Sequence, residues 1–182
     1  MFLDRLIQML ESDLERKQAL LCVSSLSLPQ CYIAAGFLRN LVWDSLHNYR
    51  VPTPLNDVDV VYFDPTEQDP DRYLAYEKHL SNCLPHLNWQ VRNQAAMHKK
   101  NHDPAYTSTL DAMSYWPEKE TAVGVRLSDD GYYDFISAFG FESLLAGKVS
   151  HNDKRDKHVY QARLKTKQWL KKWPLLEPEH DI

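Results

Sequence analysis

The chain has 182 residues, of which 43% are hydrophobic and 25% charged, a composition that excludes wholesale disorder and supports one buried core without disulfide or metal staples. Its formal net charge is −4, which excludes a uniformly basic nucleic-acid coat. Cys22, Cys31 and Cys83 form an odd set without a Cys-x-x-Cys pair, as expected of buried thiols in a reducing cytoplasm. The charged N-terminus is not patterned as a secretion signal. No apolar run approaches the roughly 18 residues of a membrane helix, so a single cytoplasmic domain without membrane attachment is expected.

Helical spacing of Leu3, Leu6, Ile7, Leu10, Leu14 and Leu21 predicts a helix over residues 2–21. A short apolar strand follows at Cys31–Gly36, then a helix from Phe37 to about His47. Pro52 and Pro54 keep that helix from entering residues 48–56. Alternation and β-branched residues predict a strand over Asp57–Phe63, and Asp71–Leu84 reads as a helix. Trp89–Gln94 is another alternating strand, residues 98–106 are polar, and Thr107–Trp116 forms a short helix halted by Pro117. Thr121–Leu127 and Tyr132–Ile136 flank an Asp129-Asp130-Gly131 turn and predict a β-hairpin. A short helix within Phe141–Val149 precedes a basic helix over about 158–173. Helices mixed with strands and a hairpin imply an α+β domain around one mixed sheet, with its core at about 31–149.

The chemistry concentrates in two places. Asp57 and Asp59 point to the same face of their strand. Side-by-side carboxylates repel and need compensation, and hard oxygen ligands of this kind suit Mg²⁺. A solvated edge strand is the plainer reading of the same pair. Upstream, Gly36 and Arg39 stand where a strand runs into a helix. The backbone there admits a phosphate, the first N–H groups attract anions, and a guanidinium can fork onto phosphate oxygens. The plainer alternative is an ordinary turn with a surface arginine.

Ala35-Gly36-Phe37-Leu38-Arg39-Asn40 followed by Asp57-Val58-Asp59-Val60 resembles the nucleotidyltransferase superfamily that includes DNA polymerase beta, poly(A) polymerases and CCA-adding enzymes. The head-domain pattern of the CCA-adding enzymes, Gly-Gly-x-Val-Arg-Asp and then Asp-x-Asp, is similar to these residues. Residues 34–47, 56–64, 89–98, 121–127 and 134–145 are also similar to a bacterial family known only as nucleotidyltransferase family proteins. Three departures stand out: Ala35 replaces a glycine, Asn40 replaces an aspartate, and residues 48–56 lengthen the interval between the motifs.

The resemblance implies a minimal nucleotidyltransferase fold and Mg²⁺-dependent transfer of a nucleoside monophosphate from a nucleoside triphosphate, with release of pyrophosphate. The acceptor (RNA, protein or small molecule) is left open. It implies that Asp57 and Asp59 bind metal and that Gly36, Arg39 and Asn40 hold phosphate or ribose. It also implies a third acid on a later strand, for which Asp134 fits; pairing of Asp134 with Arg126 across the hairpin is the alternative. Arg92 resembles a base-reading position, and Arg126 and Lys148 are candidates to neutralise triphosphate. The alternative function is a non-catalytic module that grips nucleotide, RNA or protein on the same fold.

Two further patterns are weighed. Cys83-x-x-His86 and His98-x-x-x-His102 imitate zinc-ligand spacing, but Pro85 and the strand at Trp89 separate them, and Cys83 reads as a core residue. Residues 148–173 carry nine Lys/Arg against Asp153 and Asp156. Docking through Val159, Ala162, Thr166, Trp169 and Trp173 would leave most cations in solvent, as an ordinary amphipathic helix or as a guide for an anionic partner.

Overall fold

Residues 2–179 are described by a computed structural model. Two helices, α1 (Phe2–Glu11) and α2 (Leu14–Ser24), take the place of the single N-terminal helix expected. Asp13 causes the break, because its carboxylate accepts the Arg16 backbone N–H at 3.0 Å as the cap of α2. Then come β1 (Tyr32–Ala34), α3 (Gly36–Leu46), β2 (Val58–Tyr62), α4 (Arg72–Cys83) and β3 (Trp89–Asn93). They are followed by α5 (Gln94–Asn101), α6 (Thr109–Met113), a 3₁₀ turn (Lys119–Thr121), β4 (Val123–Leu127) and β5 (Tyr133–Ser137). The chain continues through α7 (Glu142–Leu145), β6 (Lys148–Val149), α8 (Lys157–Lys167), α9 (Trp169–Lys172) and β7 (Glu177–Pro178).

The main sheet has the order β3-β2-β1-β4-β5. Within this sheet β2 and β3 run parallel and the other neighbours antiparallel, and β6 pairs separately, also in parallel, with β7. One row of side chains (Ile33, Val58, Val60, Tyr62, Val91, Val123 and Val125) faces the main core, into which Leu6, Leu20, Phe37, Leu38 and Trp43 pack from the helices. The opposite face carries a thinner cluster of Tyr32, Ala34, Val61, Met113 and Ala122. Asp59 shares that thinner face with Val61, since β2 alternates. This is how a strand in mid-sheet keeps a carboxylate half-buried.

The structure corrects several local expectations. Residues 94–101 form α5, which takes Gln94 from the expected strand and runs into the polar residues from 98 onward. Asn93 starts this helix by accepting the Ala95 N–H, a local bond that outweighs poor apolar patterning. The basic C-terminal helix is split at Gln168, whose φ of 53° and ψ of 33° are left-handed. The split turns Trp169 and Trp173 inward beside Tyr160, while Val159, Ala162 and Thr166 are exposed. Cys31 is buried, Cys22 is intermediate, and Cys83 is exposed rather than core. Among the described residues no helix is long and apolar enough to cross a membrane.

Candidate active site

The turn from β1 into α3 carries an unusual backbone. Ala35 has φ 53° and ψ −122°, a conformation that glycine adopts freely and an L side chain resists. It is held there at both ends: its N–H donates to the Val123 carbonyl at 2.9 Å, and its own carbonyl accepts from the Arg39 N–H at 3.0 Å. The strained position is thus Ala35, not Gly36. At Gly36 a Cβ would stand 3.4 Å from both the Arg39 Nη2 and the Asn40 Nδ2, a van der Waals contact with two side-chain ends. No side chain caps α3 at Ala35, leaving its first turn as an anion-attracting end.

The carboxylate pair lies beside this turn. Asp59 sits opposite Ala34 in the β1–β2 register. Asp57 is exposed, and the Asn88 side chain donates to it at 2.6 Å. Burial raises the Asp59 carboxyl above the ordinary carboxylate range, and the Asp57 charge raises it further. Asp57, Asp59, Gly36, Arg39 and Asn40 line one cavity of about 310 Å³.

Arg39 is not the free surface guanidinium of the plainer reading. Its side chain is 7% exposed, stacked 4.7 Å from the Trp43 ring and 4.6 Å from that of Trp169. Nη1 donates to the Thr121 hydroxyl and Nη2 to the Asn40 side-chain oxygen, both at 3.0 Å. Nε has no hydrogen-bond partner among the described residues. Burial pushes this guanidinium down to about 10, with the nearby Arg163 charge acting in the same sense and Glu118, Asp59 and Glu120 opposing.

Four expected positions lie elsewhere. Asp134 on β5 is paired with Arg126 on β4 at 2.7 Å and accepts the Tyr32 hydroxyl at 3.1 Å. It shares the sheet face of Asp59 but stands opposite Arg126, whereas Asp59 is level with Ala34, Gly124 and Ile136. Three strand spacings and two residues along the strand separate the two acids by roughly 16 Å, so they cannot share an ion. Arg126 is committed to the same pair and stacks over Tyr32 at 4.8 Å. Arg92 donates to Glu77 and Gln90 at 2.6 and 2.7 Å and lies over the Tyr73 ring. Lys148 is an exposed residue of β6, outside the cavity lining.

Sequence reasoning missed Asn88 and Thr121, whereas the basic lining residues Arg163, Lys167 and Lys172 belong to the C-terminal segment read as either an ordinary amphipathic helix or a guide for an anionic partner. Only the charge excess of residues 148–173 hinted at these three cations. Among the described residues no group of three or more metal-ligating His, Cys, Asp or Glu side chains is gathered.

Residues 22–177 match the family described as nucleotidyltransferase. This chain belongs to that family. An NMR structure described as a CCA-adding enzyme head domain is 30% identical, with 98% of this chain and 96% of that one covered and a TM-score of 0.85. The complex of a CCA-adding enzyme with CTP is 12% identical, with 96% of this chain and 42% of that one covered and a TM-score of 0.62, a likeness of fold. No curated protein matches the chain in sequence. The α+β nucleotidyltransferase fold inferred from the motifs is therefore the fold observed.

Proposed function

We propose that the cavity binds a nucleoside triphosphate with Mg²⁺ and that the chain transfers the nucleoside monophosphate to an acceptor hydroxyl. The carrying observation is the meeting of the β1–α3 turn with Asp57 and Asp59 in one cavity. The donor set fits Mg²⁺: hard carboxylate oxygens, one of them on a group whose burial and neighbouring charge call for a compensating cation. Asp57 and Asp59 would hold the ion, and when bound it supplies positive charge to the phosphate oxygens. Asn88 keeps Asp57 oriented, and the first turn of α3 accepts phosphate beside Gly36. Arg39 adds its charge to that end while shaping the wall through Asn40 and Thr121. The acceptor oxygen then attacks the α-phosphorus as its proton passes to solvent, the bond to the bridging oxygen breaks, and pyrophosphate leaves. A chain of the same fold described in complex with CTP supports the triphosphate class.

The test is equilibrium binding of each labelled nucleoside triphosphate with Mg²⁺, followed by a search for labelled product with RNA, protein and small-molecule acceptors. Asp57→Asn and Asp59→Asn should abolish Mg²⁺-dependent binding, whereas Asp134→Asn should retain it. Parent-like binding by both of the first two would overturn the assignment. Binding without product under every acceptor would favour the non-catalytic module instead.

A further inference from the structure

The excess positive charge of residues 148–173 is divided by the fold. Arg163, Lys167 and Lys172 line the cavity of Asp57 and Asp59. Lys165 instead borders a shallow groove with His158 and Gln161, and Lys171 lies outside the cavity lining. The three lining cations have distinct settings. Arg163 is fixed, because Glu118, fully buried, accepts its Nε at 2.5 Å and Nη2 at 3.2 Å. Lys167 and Lys172 are exposed, and neither is ion-paired with another described residue.

With Arg39, four cations face two carboxylates across this cavity. Arg39, over nine-tenths buried, keeps an Nε without a hydrogen-bond partner among the described residues. Cations gathered at this density repel one another unless an anion joins them. Glu118 balances Arg163 and, with Glu120, acts on Arg39, which leaves Lys167 and Lys172 facing Asp57 and Asp59, and those two carboxylates are taken up once they hold a divalent cation.

We propose that α8 and α9 form the second half of the phosphate site. Lys167 and Lys172, with Arg163 aimed by Glu118, receive oxygens of a polyphosphate chain whose other end lies at the β1–α3 turn. This deepens the triphosphate reading and rests on it. The ligand class is a nucleoside polyphosphate recognised by its phosphate chain, with affinity rising from mono- to di- to triphosphate.

Two double variants of equal charge change separate this from diffuse electrostatics. In the full chain, Lys167→Gln with Lys172→Gln should weaken Mg²⁺–triphosphate binding by about tenfold or more and flatten its salt dependence. Inorganic tripolyphosphate with Mg²⁺, the second probe, should lose affinity in parallel, and nucleoside monophosphate should lose much less. Lys165→Gln with Lys171→Gln should stay within about twofold of the parent for every probe. All four lysines are exposed, so both proteins should fold. Arg163 is left in place because its removal would strand buried Glu118. Equal effects from the two pairs, or no effect from the first, would overturn the proposal. If the parent binds triphosphate and loses it with Asp59→Asn but keeps it without Lys167 and Lys172, this inference alone falls. If the parent binds no triphosphate, the reading of the site falls with it.

Discussion

Ala35 concentrates a conflict between local preference and tertiary need. Its positive φ and strongly negative ψ belong to glycine, yet hydrogen bonds at both of its peptide ends keep it there. Such strain costs about 1–3 kcal/mol and persists where surrounding structure enforces it. Ala35→Gly should therefore stabilise the protein by about 1 kcal/mol, after the extra freedom glycine gains in the unfolded chain is subtracted. Urea denaturation measures this directly; an unchanged or lower midpoint would mean that the alanine fits without strain. Asp59 carries the other residue-scale cost. Because its carboxyl is raised in the folded state, first by burial and then by Asp57, the folded protein binds more protons between the ordinary carboxylate range and the raised value. Stability from this group accordingly falls as pH rises through that window, and the whole cost is present above it. Asp59→Asn should raise the stability of the unliganded protein at neutral pH by about 0.5–2 kcal/mol. The gain should vanish below about pH 3, where the parent's carboxyl is protonated in both states. Thermal melts across this range check it, and a gain that does not change with pH would contradict the cause assigned.

At the scale of elements, the walls of the cavity are tied to α3 by one buried carboxylate. Asp44 accepts the Thr53 N–H at 2.7 Å, the Thr53 hydroxyl at 2.6 Å and the Trp173 indole N–H at 2.7 Å. It thereby joins the proline-bearing segment 48–56 to the end of α9. Two outer ties run parallel: Tyr49 donates to the Lys172 carbonyl at 2.6 Å, and the Leu175 N–H is 2.8 Å from His47 Nε2. Asp44→Ala would leave a buried indole N–H and the Thr53 donors unmet, at a cost of about 2–4 kcal/mol. The same variant should weaken triphosphate binding, because Lys172 adjoins Trp173 on the released segment. Denaturation and binding measured together decide this; a large loss of stability with parent-like binding would mean that the tie does not shape the cavity. Prolines 52 and 54 make the end of α3 legible in sequence. Nothing local to Asp44 announced Trp173, which lies 129 residues further along the chain.

For the whole molecule, the sheet determines which acids can cooperate. Period-two alternation orders side chains within one strand, and only the registers across β2, β1, β4 and β5 put Asp59 and Asp134 on one face. Alternation carries no information on strand order, and β1 and β4 intervene between the two. The opposite case is the C-terminal segment, remote in sequence from the motifs. Trp169 closes over Arg39 and the neighbouring cations come to face Asp59, because the main core extends to Trp169, Trp173 and Leu176. By itself the sequence determined the β1–turn–α3 unit, the β4–β5 hairpin and the strand that carries Asp59, although β2 starts at Val58 and Asp57 lies just before it. Each is encoded by neighbours a few residues apart, through side-chain alternation, apolar spacing and turn chemistry. Only the tertiary structure decided that Ala35 bears the strain, that Asp134 serves Arg126, and that Lys167 rather than Lys165 meets the cavity. Those outcomes depend on which strands neighbour one another and on how a left-handed Gln168 rotates α9 onto the core, and both are settled by burial between distant segments.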